Sequence, residues 1–251
     1  MDKIIVIFTT LFLGLLSFAD QGHSSRVEIK AETQASIIAG QVTYAFKLFD
    51  NEQNREITDQ DLNESHTKKL HFIIYDAALK EFSHLHPSFN NSNWQTDINL
   101  PTNGQYFIWT QGELIDGTEF SASTKAQVIN GLTENQKLPL GDVRLGLDKQ
   151  TIIDLAKTKI KAGKMVMLNF RVSRNDGLGP IMTPYLGALA HVIATPLAGN
   201  ELIHVHPMNG NAPNTGMIHA TFPKEGEYRL WVQFNDRDEL KTIPLSVIVY
   251  K

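Results

Sequence analysis

The chain has 251 residues, a formal net charge of −4 at pH 7 and no cysteine. The charge is mild and no basic stretch interrupts it, which argues against nucleic acid as a partner. Without cysteine the chain has neither disulfides nor thiolate ligands, so each domain needs an apolar core large enough to be stable without disulfides.

Residues 1–19 have the pattern of a secretory signal peptide. Lys3 precedes an apolar run of 15 residues, and the run ends at the small residues Ser17 and Ala19 with Phe18 between them. This pattern predicts cleavage after Ala19 and a periplasmic or secreted protein. No later apolar run is long enough to cross a bilayer, so we expect no membrane span after cleavage.

Short alternating or β-branched runs, separated by turn-forming residues, predict an all-β chain. The predicted strands of the first half lie near residues 26–31, 41–49, 70–76, 81–87, 94–100, 105–111 and 119–129. Those of the second half lie near 143–148, 165–174, 187–195, 201–207, 216–222, 227–234 and 240–250. The segment 151–163, between the first two predicted strands of the second half, fits either a short helix or an irregular strand.

The two halves repeat one another. The pattern Pro-x-x-Gly-x-Tyr-x-x-Trp-x-Gln begins at Pro101 and again at Pro223, and a looser match begins at Ala39 and Ala162. A repeat of about 120 residues has the size of a whole domain. We therefore predict two tandem immunoglobulin-like β-sandwich domains, over residues 20–130 and 143–251, joined by a linker over 131–142.

Two local features of the repeat fit the sandwich. Tyr106 and Tyr228 each follow a Gly-x pair at the start of a strand, as in the tyrosine corner of immunoglobulin-like domains. Trp109 and Trp231, further along the same strands, are expected to be core residues.

The repeat also carries a histidine triplet with a constant spacing. Each copy reads His, twelve residues, His, one residue, His, Pro, and its members are His71, His84 and His86, then His191, His204 and His206. On a strand, residues two apart share a face, and a hairpin would place His71 opposite His86 and His191 opposite His206. Three imidazoles would then converge in each domain.

Three neutral imidazoles with an open fourth position suit a zinc or copper ion. The alternative is that the histidines bond only to backbone or water on a polar sheet face. In the second copy Met208, Met217 and His219 could complete the ligand shell, and soft thioethers would favour Cu(I). The first copy has Asp97 where the second has His219, and the methionines could equally be loop or core residues.

Glu81 and Glu201 also recur, three residues before the second histidine of each triplet. An odd spacing sends them to the opposite face of the strand, where we expect solvated carboxylates rather than a general base. The chain has no Gly-x-Ser-x-Gly, P-loop or His-Glu-x-x-His motif.

The blocks KKLHFIIYD…FSHLHP and PYLGALAHVI…LIHVHP, each followed by the Pro-x-x-Gly-x-Tyr strand, resemble secreted bacterial tandem sandwich proteins of the YtkA-like, heavy-metal-associated group. The resemblance covers most of residues 26–250. It implies an exported β-sandwich protein linked to metals. The first copy departs by having NESHTKKLH where the second has PYLGALAH, which implies an altered first site.

Together these patterns predict an exported copper-binding protein that sequesters or delivers the ion through His191, His204 and His206. A metal-transport or cell-envelope protein would then be its partner. Two alternatives remain open. One is a cell-surface interaction module that binds no metal, and the other is a three-histidine metalloenzyme that activates water or dioxygen.

Overall fold

A computed structural model describes residues 26–31, 36–64, 67–199, 201–205 and 207–251. The predicted signal peptide and His206 lie outside the described residues. Among the residues that the structure does describe, no helix has the length and apolar character needed to cross a bilayer.

The first half of the chain folds into eleven described strands and one short 3₁₀ turn, Asp59–Asp61. The strands are β1 (Val27–Ala31), β2 (Ser36–Ile38), β3 (Gly40–Asp50), β4 (Arg55–Ile57), β5 (Leu62–Asn63), β6 (Leu70–Asp76), β7 (Phe82–Leu85), β8 (Ser88–Asn90), β9 (Asn93–Leu100), β10 (Gly104–Leu114) and β11 (Glu119–Ile129). They form two sheets, one with the order β1-β3-β9-β8 and the other with the order β2-β11-β10-β6-β7.

The second half has the same plan. Its strands are β12 (Leu145–Asp148), β13 (Thr151–Leu155), β14 (Ile160–Lys161), β15 (Met165–Arg174), β16 (Met182–Thr183), β17 (His191–Pro196), β18 (Ile203–Val205), β19 (Met208–Asn209), β20 (Thr215–Thr221), β21 (Gly226–Asp236) and β22 (Glu239–Tyr250). The sheets have the orders β12-β13-β15-β20-β19 and β14-β22-β21-β17-β18. The fold is thus all-β, with two tandem immunoglobulin-like sandwiches, as predicted. The ambiguous segment 151–163 forms strands β13 and β14.

Each sandwich has its own apolar core between its two sheets. Leu85 and Val205, the residues between the paired histidines, pack against these cores, as the alternation predicts. The tyrosine corner is present in both copies: the hydroxyl oxygen of Tyr106 lies 3.3 Å from the carbonyl oxygen of Thr102, and the hydroxyl of Tyr228 donates to the carbonyl of Lys224 at 3.1 Å. The corner explains why the Gly-x-Tyr part of the repeat persists.

Glu81 and Glu201 correct one sequence-based expectation. They do face away from the histidines, but neither is a freely solvated carboxylate. Glu81 accepts hydrogen bonds from Tyr106 and from Thr102, the latter at 2.8 Å. Glu201 is buried and forms an ion pair with Lys224. Both carboxylates therefore brace the tyrosine corner, since the turn before β7 or β18 folds back on it.

A third core lies between the two sandwiches. It contains Ile73, Tyr75, Leu79, Phe107, Trp109, Ile193, Leu202 and Trp231. The ring of Trp231 stacks on Phe82 with centroids 4.4 Å apart. The two tryptophans are therefore buried, as expected, but between the domains rather than between the sheets of one domain. The strands β6, β7 and β10 face β17, β18 and β21 across this core.

An acid-sensitive ion pair joins the ends of strands β13, β15 and β21 in the second sandwich. Asp236 accepts hydrogen bonds from Thr151 at 2.6 Å, Arg174 at 2.7 Å and the backbone amide of Ile181 at 2.9 Å. Burial alone would raise the pKa of this carboxyl, but the three bonds outweigh it and lower the pKa below the ordinary 3.8. The folded state therefore favours the ionised form.

Because the folded pKa is lowered, the stabilisation is complete above the ordinary carboxyl pKa and is lost as the pH falls through the folded value. We expect Asp236→Asn to lower the free energy of unfolding at neutral pH by about 1–3 kcal/mol and to flatten its decline below about pH 4. Urea unfolding across that pH range measures both effects, with the exposed Asp238→Asn as control. An unchanged acid limb in the Asp236 variant would contradict the assignment.

Candidate metal centre between the domains

Two short hairpins carry the histidines to the face that joins the domains. In the first, β6 pairs with β7 so that Ile73 lies opposite His84, and in the second, β17 pairs with β18 so that Ile193 lies opposite His204. This is the predicted register, and continuing the first ladder by two residues places His71 opposite His86. Successive residues of a strand face opposite sides of the sheet. Leu85 and Val205 face the core of their own sandwich, so the neighbouring histidines face the other sandwich.

The described histidines of both triplets meet at the interface between the domains. The ring centroids of His71 and His204 are 5.2 Å apart, and those of His84 and His204 are 5.3 Å apart. His191 is 5.7 Å from both His84 and His204, and His86 is 5.0 Å from both His71 and His84. Among the described residues, five imidazoles from both domains thus form one cluster, which we call the interdomain histidine cluster.

One ligand atom from each of His71, His84 and His204 lies within 4.8 Å of the other two. Ligand nitrogens around a tetrahedral ion with bonds of about 2.0–2.1 Å stand about 3.3 Å apart, so small side-chain adjustments would bring the three together. His71 and His84 are already close, with Nδ1 and Nε2 2.9 Å apart. Within the part of the chain that the structure describes, the ligand set with the closest ligand atoms combines both triplets, whereas the sequence favoured the second triplet alone.

Two glutamines orient the central histidines. Nδ1 of His84 lies 2.8 Å from Oε1 of Gln233, and Nδ1 of His204 lies 2.9 Å from Oε1 of Gln111. A hydroxyl group fixes each amide in turn. Nε2 of Gln233 donates to the hydroxyl of Thr242 at 3.0 Å, and Nε2 of Gln111 donates to that of Ser121 at 3.2 Å. With the amide oxygens facing the rings, both histidines donate from Nδ1, and both Nε2 lone pairs point into the cluster.

The same logic applies to His191. Its Nε2 lies 3.0 Å from the backbone carbonyl of Tyr185, which can only accept, so Nε2 carries the proton and Nδ1 the lone pair. That Nδ1 lies 3.4 Å from Nε2 of His204. In these tautomers two lone pairs face each other, an arrangement that a shared cation stabilises. This hydrogen bonding matches the outer shell found around metal-ligating histidines.

His86 lies at the margin of the cluster. Its Nε2 is buried and has no hydrogen-bond partner within the described part of the chain. Burial is the main cause that lowers the pKa of His86 to about 4, and the positive charge of Lys68 contributes to the same shift. The ring is therefore neutral near pH 7, the state in which imidazole binds a metal.

The remaining predicted ligands lie on the other sheet of the second sandwich. Met217 and His219 belong to β20 and Met208 to β19, whereas His191 and His204 belong to β17 and β18. The structure therefore does not bring these three residues to the cluster, although they follow it closely in sequence. The chain crosses from one sheet to the other at Pro207, and alignment alone does not reveal that change of sheet.

Sequence reasoning missed the roles of Gln111 and Gln233. Both end the repeated Tyr-x-x-Trp-x-Gln pattern, which was visible as a pattern but had no assigned role at that position. The structure accounts for all three residues: the tyrosine forms the corner, the tryptophan fills the interdomain core, and the glutamine bonds to a histidine of the other domain. Each domain thus contributes one glutamine to a histidine of the other domain, so the interface has approximate two-fold symmetry.

The comparisons with known proteins give one family and several fold likenesses. A family model described as a domain of unknown function (DUF8832) matches residues 147–251. No curated protein matches the chain. Among solved structures, the fibronectin(III)-like modules of Clostridium thermocellum CbhA are 14% identical with a TM-score of 0.24, covering 88% of this chain and 93% of that one.

Two adhesin structures give similar values. The Escherichia coli adhesin FdeC is 16% identical with a TM-score of 0.28, covering 93% of this chain and 67% of that one. A 1.5-MDa bacterial ice-binding adhesin is 10% identical with a TM-score of 0.27, covering 90% of this chain and 65% of that one. At these scores the likenesses carry no functional argument.

Proposed function

We propose that this chain is an exported transition-metal-binding protein whose metal site is the interdomain histidine cluster. The observation that carries the proposal is the convergence of His71, His84 and His204 from two domains, with ligand atoms within 4.8 Å. The paired bonds from Gln111 and Gln233 support it, because they direct the Nε2 lone pairs of two of these histidines inward. The apolar run and small exit residues of positions 1–19 support export.

The donor chemistry favours copper or zinc. Imidazole is a ligand of intermediate softness that both ions accept, and the cluster contains no thiolate. Because its ligands come from both sandwiches, an ion at the cluster would join the domains, and separating them would remove part of its ligand shell. Such a site suits sequestration or delivery, with release coupled to opening of the interface.

Calorimetric titration with Zn(II) and Cu(II) tests the proposal. We expect one tightly bound ion per chain, and we expect His84→Gln with His204→Gln to abolish that binding. The control is His219→Gln, which removes an imidazole from the other sheet and should leave Zn(II) binding unchanged. Circular dichroism of each variant separates loss of ligands from loss of fold. Equal Zn(II) affinity in wild type and the double variant would overturn the proposal.

A second candidate is a cell-surface interaction module. The observation that favours it is the edge strand β12, where Leu145 and Leu147 are 63% and 57% exposed. An apolar edge strand is a ready template for a partner strand or an apolar surface. Under this reading, partner capture would survive His84→Gln with His204→Gln and would be lost in Leu145→Lys with Leu147→Lys.

A further inference from the structure

The outward face of the sheet that contains β15 and β20 is rich in methionine. Val166 and Leu168 alternate into the sandwich core, so their neighbours Met165 and Met167 point away from it. In β20, Ile218 and Ala220 are core residues, so Met217 and His219 point outward beside them. Met208 pairs directly with Met217 from the edge strand β19. Within the described residues, four methionines share this face with one histidine.

The strand register places the sulfurs and the imidazole within reach of one another. Met167 lies directly opposite His219, and Met208 directly opposite Met217. Directly opposed residues have Cβ atoms about 5 Å apart, and residues two apart on one strand are separated by about 7 Å. Methionine has three rotatable bonds, so Met167 and Met217 can both turn toward the ring of His219.

His219 gives an independent indication that a ligand belongs here. Its Nε2 is buried, and within the described residues it has no hydrogen-bond partner. Leaving a buried polar atom unsatisfied costs about 1–3 kcal/mol, so native proteins seldom keep one without a reason. A metal ion bound at Nε2 would supply the missing partner. The neighbouring methionines are exposed apolar side chains: 65% of the surface of Met165 and 52% of that of Met167 is in contact with water, which does not favour folding.

The first domain provides an internal comparison. On its equivalent sheet Thr43 lies opposite Asp97, where the second domain has Met167 opposite His219. The hydroxyl of Thr43 donates to the carboxylate of Asp97 at 2.6 Å, so these two side chains hydrogen-bond to each other without a ligand. This register also shows that the loose sequence match beginning at Ala39 is displaced by one residue. Soft ligands thus occur on one copy of a repeated surface, which general folding requirements do not explain.

We propose that His219, Met167 and Met217 form a second metal site, specific for a soft monovalent ion of the Cu(I) type, with Met208 adjoining. Thioether sulfur and imidazole are the donors that Cu(I) prefers, and the borderline ions Zn(II) and Cu(II) have little affinity for thioethers. The site is on the side of the second sandwich away from the interdomain histidine cluster. It is independent of that cluster, so the protein would bind ions of two kinds on two faces.

Methyl NMR of methionine tests the site directly. The chain is labelled at the methionine methyl groups in the His84→Gln, His204→Gln background, and Ag(I) is titrated as a stand-in for Cu(I) that does not change oxidation state. We expect the Met167 and Met217 methyl resonances to shift and saturate at one Ag(I) per chain. Met182, whose side chain packs against the sandwich core, should not move.

Substitution identifies the ligands. Met167→Leu with Met217→Leu and His219→Gln should lose the saturable Ag(I) binding, whereas Met182→Leu should retain it; leucine keeps the volume and removes the sulfur. Competition between the chain and bicinchoninate for Cu(I) under reductant repeats the comparison with the expected ion. Equal shifts at all methionines, or binding unchanged in the triple variant, would overturn the proposal. Because the background variant lacks His84 and His204, the Ag(I) result does not depend on whether the interdomain histidine cluster binds a metal.

Discussion

Replacing Trp231 with alanine is expected to lower the free energy of unfolding by about 3–5 kcal/mol. The indole is almost fully buried between the domains, where it stacks on Phe82 at 4.4 Å and lies 5.5 Å from the ring of Tyr75. Among the described residues of the second domain in this core, none has a larger side chain. Its removal leaves a cavity that the rigid sheets on either side cannot close.

The form of the transition should change as well as its midpoint. Each sandwich keeps its own core, so the variant should unfold in two steps where the parent unfolds in one. Urea titration followed by circular dichroism and by the fluorescence of the remaining tryptophans measures both quantities. Leu178→Ala, at an exposed position of the same domain, should change stability by less than about 0.5 kcal/mol. A single transition with a loss below about 1 kcal/mol would show that the interdomain core contributes little.

The hairpin register of the histidines could be predicted from sequence because spacing and alternation determine it. A strand period of two and a short loop place His84 opposite Ile73, and the structure agrees. Meeting of the two triplets could not be predicted in that way, since domain packing leaves no periodic signal. One indication was present in β6 itself. Its sequence, LHFIIYD, has four consecutive large apolar or aromatic residues at 72–75, a pattern that indicates a strand covered on both faces, and the structure shows every position of β6 buried.

The misplacement of Met208, Met217 and His219 has a different origin. Sequence proximity to His204 suggested a common site, but the chain changes sheets between β18 and β19. A sandwich has two outward faces, and residues a few positions apart can lie on opposite ones. Only knowledge of which strands pair separates the two groups, and pairing over long sequence distances is what local patterns lack.

Removing both orienting glutamines is expected to weaken Zn(II) binding strongly while leaving the ligands in place. Outer-shell partners of metal-bound histidines typically contribute about 10- to 100-fold in affinity, and Gln111→Leu with Gln233→Leu removes two of them. The reason is that each Oε1 now fixes Nδ1 of a central histidine as a donor. Without that bond the ring can rotate or change tautomer, so its Nε2 lone pair no longer points at the ion.

Conservative variants separate this orienting role from a merely structural one. In Gln111→Glu and Gln233→Glu a carboxylate oxygen still accepts the Nδ1 proton, so Zn(II) affinity should remain close to that of the parent or exceed it. If the glutamines only filled space, the glutamate variants would lose affinity along with stability, because they bury a charge. Gln127→Leu, an exposed glutamine on the neighbouring strand β11, is the matched control and should bind Zn(II) normally. Weak Zn(II) binding by the leucine variant together with strong Zn(II) binding by the glutamate variants would identify the glutamines as positioning residues of a metal site. Equal Zn(II) affinity in all variants would show that the glutamines do not orient the histidines, and would contradict the proposal.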